Sequence, residues 1–445
     1  MSHPLVMLLI SDLSGRMRGK SVPVRGSEKL LEEGLGWIPA NAALTCFGPM
    51  AKVENDALGE LRLIPAENEP VSFFHEKLEI EQNWWIGKIV RMDGFPWECC
   101  LRSQLESALS LLQDRFQLQL EVGLEQEFYL TGRKDQLNTN SLEAFCEASD
   151  FLKAYAECLD SAGIEFKSLH PENGPGQYEL SLPKLDPLKA ADQLQLAKGI
   201  GRHCAARMDE HLTFSPIVSS VTIGSGLHVH FSLKDLEGRE RNSIDGVRIS
   251  VRAGAFLAGI LGNLPSLTAF NSPSLISAER YSPPRWTAYF NNLGMMDRRA
   301  AIRITRLGSG SPNIHFELRT ADACASPYLV LSSMVYAGIE GLSRQMPCPP
   351  MHSTDDLLSG LTVPGVERLP DSLEKSLGNL MENETLLAYF PDEFIDAYLT
   401  NKRHEITLSK DFKGQALYDA YMNCLLYTSD AADERSSVDL GGRRI

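Results

Sequence analysis

The chain has 445 residues, of which 43 are Lys or Arg and 58 are Asp or Glu, giving a net charge of −15 at neutral pH. A length of this order predicts two or three domains, and 43% hydrophobic with 23% charged residues is typical of a soluble globular protein. The acidic balance argues against a general attraction for nucleic acid or anionic membranes, and we expect neither as a partner.

The sequence lacks the patterns typical of export or membrane insertion. The apolar run Val6–Ile10 is too short for the core of a signal peptide, and no stretch approaches the ~20 apolar residues of a membrane span. The nine cysteines form no C-x-x-C pair, which argues against a zinc knuckle or a disulfide framework. We therefore expect free thiols and a cytoplasmic protein.

The first hundred residues are predicted to form short strands around one helical patch. The strands are expected at Leu5–Ile10, Ala43–Phe47, Glu60–Ile64 and Trp85–Met92, and the helical patch at Ser27–Glu33. The dipeptide Phe95-Pro96 then precedes an amphipathic run, Leu101–Phe116. We place a domain boundary at residue 100 because this is where the pattern changes from strand to helix.

Beyond residue 100, strands with polar faces alternate with long helices, which predicts the α+β class. The helices are expected at Pro187–Leu212, Val247–Leu261, Pro327–Arg344 and Glu393–His404. The third has Ser326 at the N-cap and Pro327 at the first helical position, which is a well-formed start signal.

Residues 424–445, CLLYTSDAADERSSVDLGGRRI, have neither helical nor alternating periodicity. The string resembles the in-frame translation of a common transposon-based sequencing adapter. We interpret it as an artefactual, non-native tail that has no function and no part in the fold.

Four segments alternate polar and apolar residues with the period of a strand. They are Leu120–Leu130, Gln177–Leu182, Leu227–Leu233 and Ile314–Arg319. Their polar faces carry Glu121, Glu125, Glu127, Gln177, Glu179, His228, His230, Ser232, His315, Glu317 and Arg319. A sheet with one wet face would explain the alternation, but such faces ordinarily include lysine, and these have none.

Carboxylates concentrated in this way repel one another unless a cation neutralises them, so the pattern favours a metal site. Many carboxylates, one or two imidazoles and no thiolate suit Mg²⁺ or Mn²⁺ better than Zn²⁺. Such a metal together with arginines indicates phosphoryl transfer, and Arg298 and Arg303 are the candidate arginines. The alternative is that these two arginines belong to a solvated surface.

Five segments are similar to the motifs of the glutamine synthetase catalytic domain, in the same order and spacing. They are GLEQEFYL (123–130), ENGPGQYEL (172–180), GSGLHVHFSL (224–233), DRRAAIR (297–303) and FELRTADACASPYL (316–329). The resemblance covers residues 105–423, with a weaker match at RGKSVP (18–23) and GELRLIP (59–65). It implies an N-terminal β-grasp domain at residues 1–100 and, at residues 101–423, an antiparallel half-barrel packed with helices.

The same resemblance implies an assembly and a reaction. The family forms homo-oligomers, normally dodecamers of two stacked rings of six, with active sites shared between neighbours. Its chemistry begins with attack of the glutamate γ-carboxylate on ATP, which gives a γ-glutamyl phosphate. An amine then displaces phosphate. ATP, glutamate, a small amine or ammonium, and two or more Mg²⁺ or Mn²⁺ ions per site are therefore the expected ligands.

Carried over position by position, the resemblance implies a role for thirteen residues. One metal ion would be held by Glu127, Glu172 and Glu179, and another by Glu125, His228 and Glu317. Arg280 and Arg319 are expected to clamp the glutamate α-carboxylate, with Gly224 and Trp286 in the same substrate site. His230 and Arg298 are expected near the nucleotide, and Arg298 with Arg303 at the transferred phosphoryl group.

Four positions depart from the family pattern. Ile223 replaces an asparagine, and Trp286 replaces the flap glutamate that helps to bind and deprotonate ammonium. The stretch Phe47-Gly48-Pro49 lacks the family's aspartate. Between the positions of Arg303 and Glu317 the family has a lysine and an arginine near the nucleotide, whereas the nearest basic residues here are Arg306 and His315. The loss of acids weakens an ammonium site, and Trp286 adds an aromatic wall. Together these changes favour a larger organic amine or polyamine. The resemblance is therefore to the glutamate–amine ligase branch, which includes gamma-glutamylpolyamine synthetases.

Two alternatives stay open from the sequence. One is a glutamine synthetase that uses ammonium in a remodelled pocket, and the other is a family member that has lost catalysis and serves as an assembly. The complete set of six metal positions argues against the second. A guanidino kinase, which shares the half-barrel architecture, is disfavoured because it lacks this metal-ligand sequence.

Overall fold

The computed structural model describes residues 5–51, 59–131, 140–246, 248–283, 285–306 and 314–424. Within these ranges the strands are β1 (Leu5–Ser11), β2 (Met17–Pro23), β3 (Leu35–Trp37), β4 (Leu61–Pro65), β5 (Val71–His75), β6 (Ile80–Arg91), β7 (Leu118–Thr131), β8 (Ser168–Pro171), β9 (Gln177–Ser181), β10 (His211–Thr213), β11 (Leu227–Asp235), β12 (Leu293–Met295), β13 (Ile302–Arg306) and β14 (Ile314–Leu318). The helices are α1 (Leu30–Glu33), α2 (Leu101–Phe116), α3 (Leu142–Glu147), α4 (Ser149–Ser161), α5 (Pro187–Arg207), α6 (Val251–Asn271), α7 (Pro327–Ser343), α8 (Thr354–Leu358), α9 (Leu373–Glu382), α10 (Glu384–Leu387), α11 (Asp392–Leu408) and α12 (Gln415–Cys424).

The N-terminal sheet has the strand order β2-β1-β6-β4-β3, and β5 also pairs with β6, along its first residues. Its central pair, β1 and β6, runs parallel, whereas β1 pairs with β2 and β6 with β4 in antiparallel fashion. The strand expected at Ala43–Phe47 is wrong. A 3-10 helix occupies Pro39–Ala43, where Pro39 at the first position presets a helical φ.

The second sheet has the order β12-β13-β14-β11-β7-β9-β8, with β10 paired to β7. All pairs are antiparallel except β12 with β13. The four segments predicted from alternation are β7, β9, β11 and β14. The predicted α+β class, with a sheet-rich N-terminal region ahead of a region that mixes strands and helices, is confirmed.

The apolar faces of these strands pack against helices and leave the polar faces for a cavity. The ring of Phe231 on β11 lies 6.2 Å from Phe256 on α6 and 5.4 Å from Phe316 on β14. All three side chains are fully buried. Each large apolar side chain buried in this way stabilises the fold by about 1.5–3 kcal/mol, so the register of the sheet is fixed by its apolar face.

The helix α6 runs ten residues beyond its expected end at Leu261, through Pro265. A proline removes one helical hydrogen bond, which here would leave the Leu261 carbonyl without its donor. The side-chain amide of Asn291 donates to that carbonyl at 3.2 Å, so the helix continues. The helix begins at Val251 because the Ser250 hydroxyl accepts a hydrogen bond from the Ala253 amide.

The end of α5 and the cap of α7 also differ from the sequence expectation. The helix α5 ends at Arg207 rather than Leu212, because Asp209 takes a positive φ and His211–Thr213 joins β7 as strand β10. The helix α7 begins at Pro327 as expected, but the Ser326 hydroxyl makes no capping bond and lies 3.4 Å from the Ser11 hydroxyl.

One described helix, Val251–Asn271, is long and apolar enough to cross a membrane by composition. However, 89% of its most apolar window is buried inside the protein, as in a core helix. The segment predicted to be a non-native tail lies outside the described residues from 425 onwards, and its first residue, Cys424, is the last residue of α12.

Candidate active site

Cross-strand pairing brings the acidic and imidazole side chains of the second sheet together. Glu125 on β7 lies opposite His228 on β11, and Glu127 lies opposite Glu179 on β9. Directly paired residues share one face of a sheet, with side chains about 5 Å apart. Further along the sheet, Glu317 on β14 is paired with His230 on β11 and with Arg303 on β13, and His170 on β8 is paired with Glu179.

These side chains line one cavity of about 390 Å³. All thirteen residues singled out from the sequence line it: Glu125, Glu127, Glu172, Glu179, Gly224, His228, His230, Arg280, Trp286, Arg298, Arg303, Glu317 and Arg319. Other lining residues are Ser168, His170, Asn173, Gln177, Ser181, Ile223, Arg285 and Thr287. The structure thus collects the sequence-predicted set in one place, while their individual roles stay predictions.

Glu179 is the carboxylate that responds most to this crowding. Burial raises its pKa, and the negative charges of Glu125, Glu127 and Glu172 raise it further, to about 9. Glu179 Oε1 accepts a hydrogen bond from the Ser181 hydroxyl at 2.9 Å. A cation added beside this carboxyl would favour its ionised form, so metal binding there would release the proton.

The two carboxylates nearest the imidazoles and arginines stay ionised. Burial acts to raise the pKa of Glu125, but the hydrogen bonds and charges of His228 and His230 outweigh it and lower that pKa strongly. Burial also opposes ionisation of Glu317, yet Arg319, His228, His230 and Arg303 lower its pKa to about 2. Glu317 accepts from Arg319 Nη1 through one oxygen and from Arg303 Nη1 at 2.9 Å through the other.

Three groups of ligand atoms in the described residues lie close enough to hold a metal ion, each within 4.8 Å. They are Glu125 with His230 and Glu317, Glu125 with Glu179 and His228, and His170 with Glu172 and Glu179. This grouping differs from the two predicted sets in including His170 and His230 and in leaving out Glu127. Glu127 Oε2 accepts instead from the Gly226 amide at 2.6 Å and from Gln177 Nε2 at 3.2 Å.

The predicted carboxylate-binding arginines are buried at the next part of the cavity. Arg280 is 2% exposed and passes over Gly224, where a Cβ would lie 2.5 Å from Arg280 Cγ. Only glycine fits there without displacing the arginine. Arg319 donates through Nε to the Arg298 carbonyl at 2.7 Å, so its guanidinium is held between Glu317 and the β12–β13 loop.

The two apolar departures, Ile223 and Trp286, both line the cavity and are partly exposed, at 37% and 64% of their surface. The Tyr129 hydroxyl, from strand β7, donates to the Ile223 carbonyl at 2.6 Å. The backbone carbonyl of Thr222 accepts from Arg285 Nε at 3.3 Å, which ties this loop to the one that carries Trp286.

Three lining residues were missed as site residues by sequence reasoning. Gln177 Nε2 lies 3.2 Å from Glu127 Oε2, the Gly224 carbonyl and the Ser225 hydroxyl, so it joins the carboxylate cluster to the glycine loop. Its place on a polar strand face was the available signal. His170, two residues before Glu172, had the spacing of a strand ligand, whereas nothing in the sequence singled out Arg285.

The remaining departures have plain structural settings. Phe47 packs with its ring 5.0 Å from that of Tyr421. His315 lies 3.2 Å from His230 through their ring nitrogens, and burial with the charges of His230 and Lys184 lowers the pKa of His315 to about 4. Arg306 is the last residue of β13, paired with Ile314.

Comparisons with known proteins agree with this geometry. The model of the glutamine synthetase catalytic domain matches residues 98–415. A gamma-glutamylpolyamine synthetase of Streptomyces coelicolor is 28% identical over 84% of this chain and 83% of its own length. A glutamate–isopropylamine ligase of a Pseudomonas species is 31% identical over 60% of this chain and 57% of its own length. A solved structure described as a novel glutamine synthase homolog superposes with a TM-score of 0.87 at 29% identity, covering 95% of this chain and 99% of that one.

The chain therefore belongs to the glutamine synthetase family, as its sequence motifs predicted. The predicted enzyme class, an ATP-dependent carbon–nitrogen ligase that acts on glutamate, is confirmed at the level of the family and its relatives.

Proposed function

We propose that the protein joins the γ-carboxylate of glutamate to an organic amine, with ATP as the energy source and a γ-glutamyl phosphate as the intermediate. The observation that carries the proposal is the combination found in one cavity. Carboxylates and imidazoles suited to divalent metals lie beside five arginines, and an isoleucine with a tryptophan forms the wall where the family has an asparagine and a glutamate.

The residues present fit hard divalent cations. Glu125, Glu127, Glu172, Glu179, His228 and Glu317 would hold two or more ions, with His170 and His230 within reach of the same groups. The raised pKa of Glu179 supports this fit, because the cluster holds more carboxylate than its own cations neutralise. When bound, Mg²⁺ or Mn²⁺ supplies positive charge to the oxygens of the ATP phosphates.

The arginines have the chemistry that the first step needs. Arg303 Nε is buried without a hydrogen-bond partner among the described residues, and this supports an anionic ligand beside it. Arg298 and Arg303 would stabilise the phosphoryl group in transfer, with His230 near the nucleotide phosphates. Arg280 and Arg319 would hold the glutamate α-carboxylate, so that its γ-carboxylate faces the ATP.

The proposed reaction has two steps. A γ-carboxylate oxygen of glutamate bonds to the γ-phosphorus of ATP as the bond to ADP breaks. The nitrogen of a neutral amine then bonds to the γ-carbonyl carbon, phosphate leaves, and the phosphate takes up the proton lost by the nitrogen. The products are ADP, phosphate and a γ-glutamyl amide.

The choice of an organic amine over ammonium rests on Ile223 and Trp286. Ammonium needs acceptors and negative charge, whereas an alkyl or aryl arm gains about 25 cal/mol for each Å² of apolar surface that it buries. Both side chains offer that surface inside the cavity, and neither can deprotonate ammonium.

We infer the same setting for the protein as for the family. The expected assembly is a homo-oligomer of two stacked six-membered rings in the cytoplasm, with residues 1–100 as the N-terminal domain and 101–423 as the catalytic domain. Residues 424–445 would be dispensable.

Phosphate release from ATP, measured with glutamate, Mg²⁺ and a panel of amines on protein ended at Asn423, tests the proposal. The panel contains ammonium, ethylamine, isopropylamine, 1,4-diaminobutane and spermidine. A wide preference in kcat/KM for any organic amine over ammonium is the expected result. Preference for ammonium would identify a glutamine synthetase with an unusual pocket. If the protein assembles but releases no phosphate with any amine, it is a non-catalytic member of the family.

A further inference from the structure

Arg285 joins the two loops that form the apolar wall of the cavity. Its guanidinium donates to the carbonyls of Ser220 at 3.0 Å and Thr222 at 3.3 Å on one loop. On the other loop it donates to the Glu279 carbonyl at 2.6 Å, and its Nη1 lies 3.4 Å from the Ser282 hydroxyl. One side chain thereby links the loop that carries Ile223 to the loop that carries Trp286.

These partners are neutral, so the guanidinium keeps an uncompensated charge. Arg285 makes no ion pair with a carboxylate among the described residues. The acid nearest in sequence, Glu279, accepts from the Tyr418 hydroxyl at 2.7 Å and does not line the cavity. An arginine side chain stays charged throughout the physiological pH range.

The part of the cavity around this wall is consequently apolar and positive. The described residues that line it are Ile223, Gly224, Arg280, Arg285, Trp286 and Thr287, which include two arginines and no carboxylate. The five carboxylates that line the cavity belong to the metal-binding cluster on the strands and at Glu172. An amine arm lying along the wall therefore meets positive charge where a second ammonium group would need a negative one.

We propose that Arg285 makes this enzyme select monoamines with an uncharged alkyl or aryl arm, and reject diamines and polyamines. The inference rests on the proposed glutamate–amine ligase activity and names its class of acceptor. The reacting nitrogen must be neutral in either kind of amine, but the far nitrogen of a diamine stays protonated. Its charge would be repelled by Arg285, which is half-buried, and the repulsion at such a position is stronger than in bulk water.

Butylamine and 1,4-diaminobutane are a matched pair for the test, since they differ in a terminal methyl against a terminal ammonium group on the same four-carbon chain. Glutamate-dependent phosphate release by the full protein with Mg²⁺ is measured for each. We expect kcat/KM for butylamine to exceed that for the diamine by at least ~10-fold, a ratio typical of one repulsive charge contact.

Two variants separate charge from loop positioning. Arg285→Met removes the charge and should narrow the butylamine-to-diamine ratio by ~5-fold or more. Arg285→Lys keeps the charge but has fewer donors for the four acceptors, so the ratio should persist while kcat/KM falls for both amines. A merely structural role would lower both rates in both variants and leave the ratio unchanged.

Several results would overturn the inference. Preference of the unmodified protein for the diamine, or a ratio that Arg285→Met does not alter, would overturn it while leaving the ligase activity in place. Turnover with ammonium alone, or with no amine, would overturn the proposed function and this inference together.

Discussion

The cavity has two ends that differ in how closely they keep the family pattern. At the strand end, every predicted metal position has a competent ligand, held by cross-strand pairs such as Glu125 with His228 and Glu127 with Glu179. At the loop end, Ile223 and Trp286 replace polar family residues on loops joined by hydrogen bonds to main-chain carbonyls. In the proposed function, the chemistry common to the family is thus carried by residues on the sheet, whereas the residues that would select the amine lie on loops.

The electrostatics of the two ends are opposite. The strand end holds five carboxylates, one of which has its pKa raised to about 9, and gains from an added cation. The loop end holds Arg280, which we propose binds the glutamate α-carboxylate, and Arg285, whose charge faces the proposed amine arm without a lining carboxylate beside it among the described residues. A single cavity can therefore attract metal ions at one end and discourage ammonium groups at the other.

Glu317→Gln should have the largest effect, because it removes a predicted metal ligand. It also removes the negative charge that pairs with Arg303 and Arg319, both of which donate to the Glu317 carboxylate. We expect a loss of more than ~100-fold in kcat/KM with every amine. The matched control is Glu121→Gln. Glu121 lies on strand β7 of the same sheet, pairs with Lys234 at 2.8 Å and does not line the cavity. Equal losses in both variants would contradict the assignment of Glu317 to the active site.

Metal-free protein should lose stability as the pH rises from 6 to 8, through Glu179. Its pKa is about 9 in the folded state and near 4.5 when unfolded, so between these values the folded state holds one more proton. The free energy of unfolding then falls by up to ~1.4 kcal/mol per pH unit from this group. Urea unfolding of the unmodified protein and of Glu179→Gln, which cannot ionise, measures the difference at each pH.

Added Mg²⁺ provides the control for that experiment. If Glu179 is a ligand, Mg²⁺ should restore stability to the unmodified protein, most strongly near pH 8, and much less to Glu179→Gln. A pH slope that is identical in the two proteins would show that Glu179 does not hold the extra proton.

Gly224→Ala should weaken glutamate binding, because its new Cβ would lie 2.5 Å from Arg280 Cγ and would displace that side chain. We expect KM for glutamate to rise by ~10-fold, which is the scale for loss of one good charge-assisted contact. Metal affinity should change little, so a titration with Mn²⁺ separates the two ends. Gly378→Ala is the matched control, since a Cβ there meets nothing within 4 Å. An unchanged KM for glutamate in Gly224→Ala would contradict the predicted role of Arg280.

Trp286→Ala should have the narrowest effect on activity, because the change is confined to the loop end of the cavity. Loss of the indole surface should lower kcat/KM for butylamine by ~10-fold and leave ammonium turnover nearly unchanged. The comparison uses phosphate release with both amines. An equal loss with ammonium would mean that Trp286 packs the loop rather than contacting the amine.

The strand end was the more predictable part of this molecule. Period-two alternation located β7, β9, β11 and β14, and the motifs carried thirteen residues that prove to line one cavity. Register could not be derived from alternation alone, so neither the pairing of His170 with Glu179 nor the bonds that Glu127 makes with Gly226 and Gln177 were foreseen.

What escaped prediction depended on contacts distant in sequence. The helix α6 passes Pro265 because Asn291, far along the chain, donates to the carbonyl that the proline leaves free. The supposed strand at Ala43–Phe47 has apolar residues and a β-branched threonine, yet Pro39 starts a 3-10 helix just before it. Arg285 looked like a loop residue, and its four acceptors lie on two separate segments.

Tyr129 and Arg285 donate hydrogen bonds to main-chain carbonyl oxygens, and not to side chains, on the loop before Gly224. Every residue has such an oxygen, so the side chains of Ser220 and Ile223 can change without removing these hydrogen bonds, whereas the Thr222 hydroxyl also bonds to Ser219 within the loop. Side chains in the wall of the proposed amine pocket can therefore be exchanged while the hydrogen bonds that hold its backbone stay in place. New acceptor specificities could be reached through single substitutions there, in evolution or in the laboratory, while the carboxylate cluster on the strands keeps its geometry.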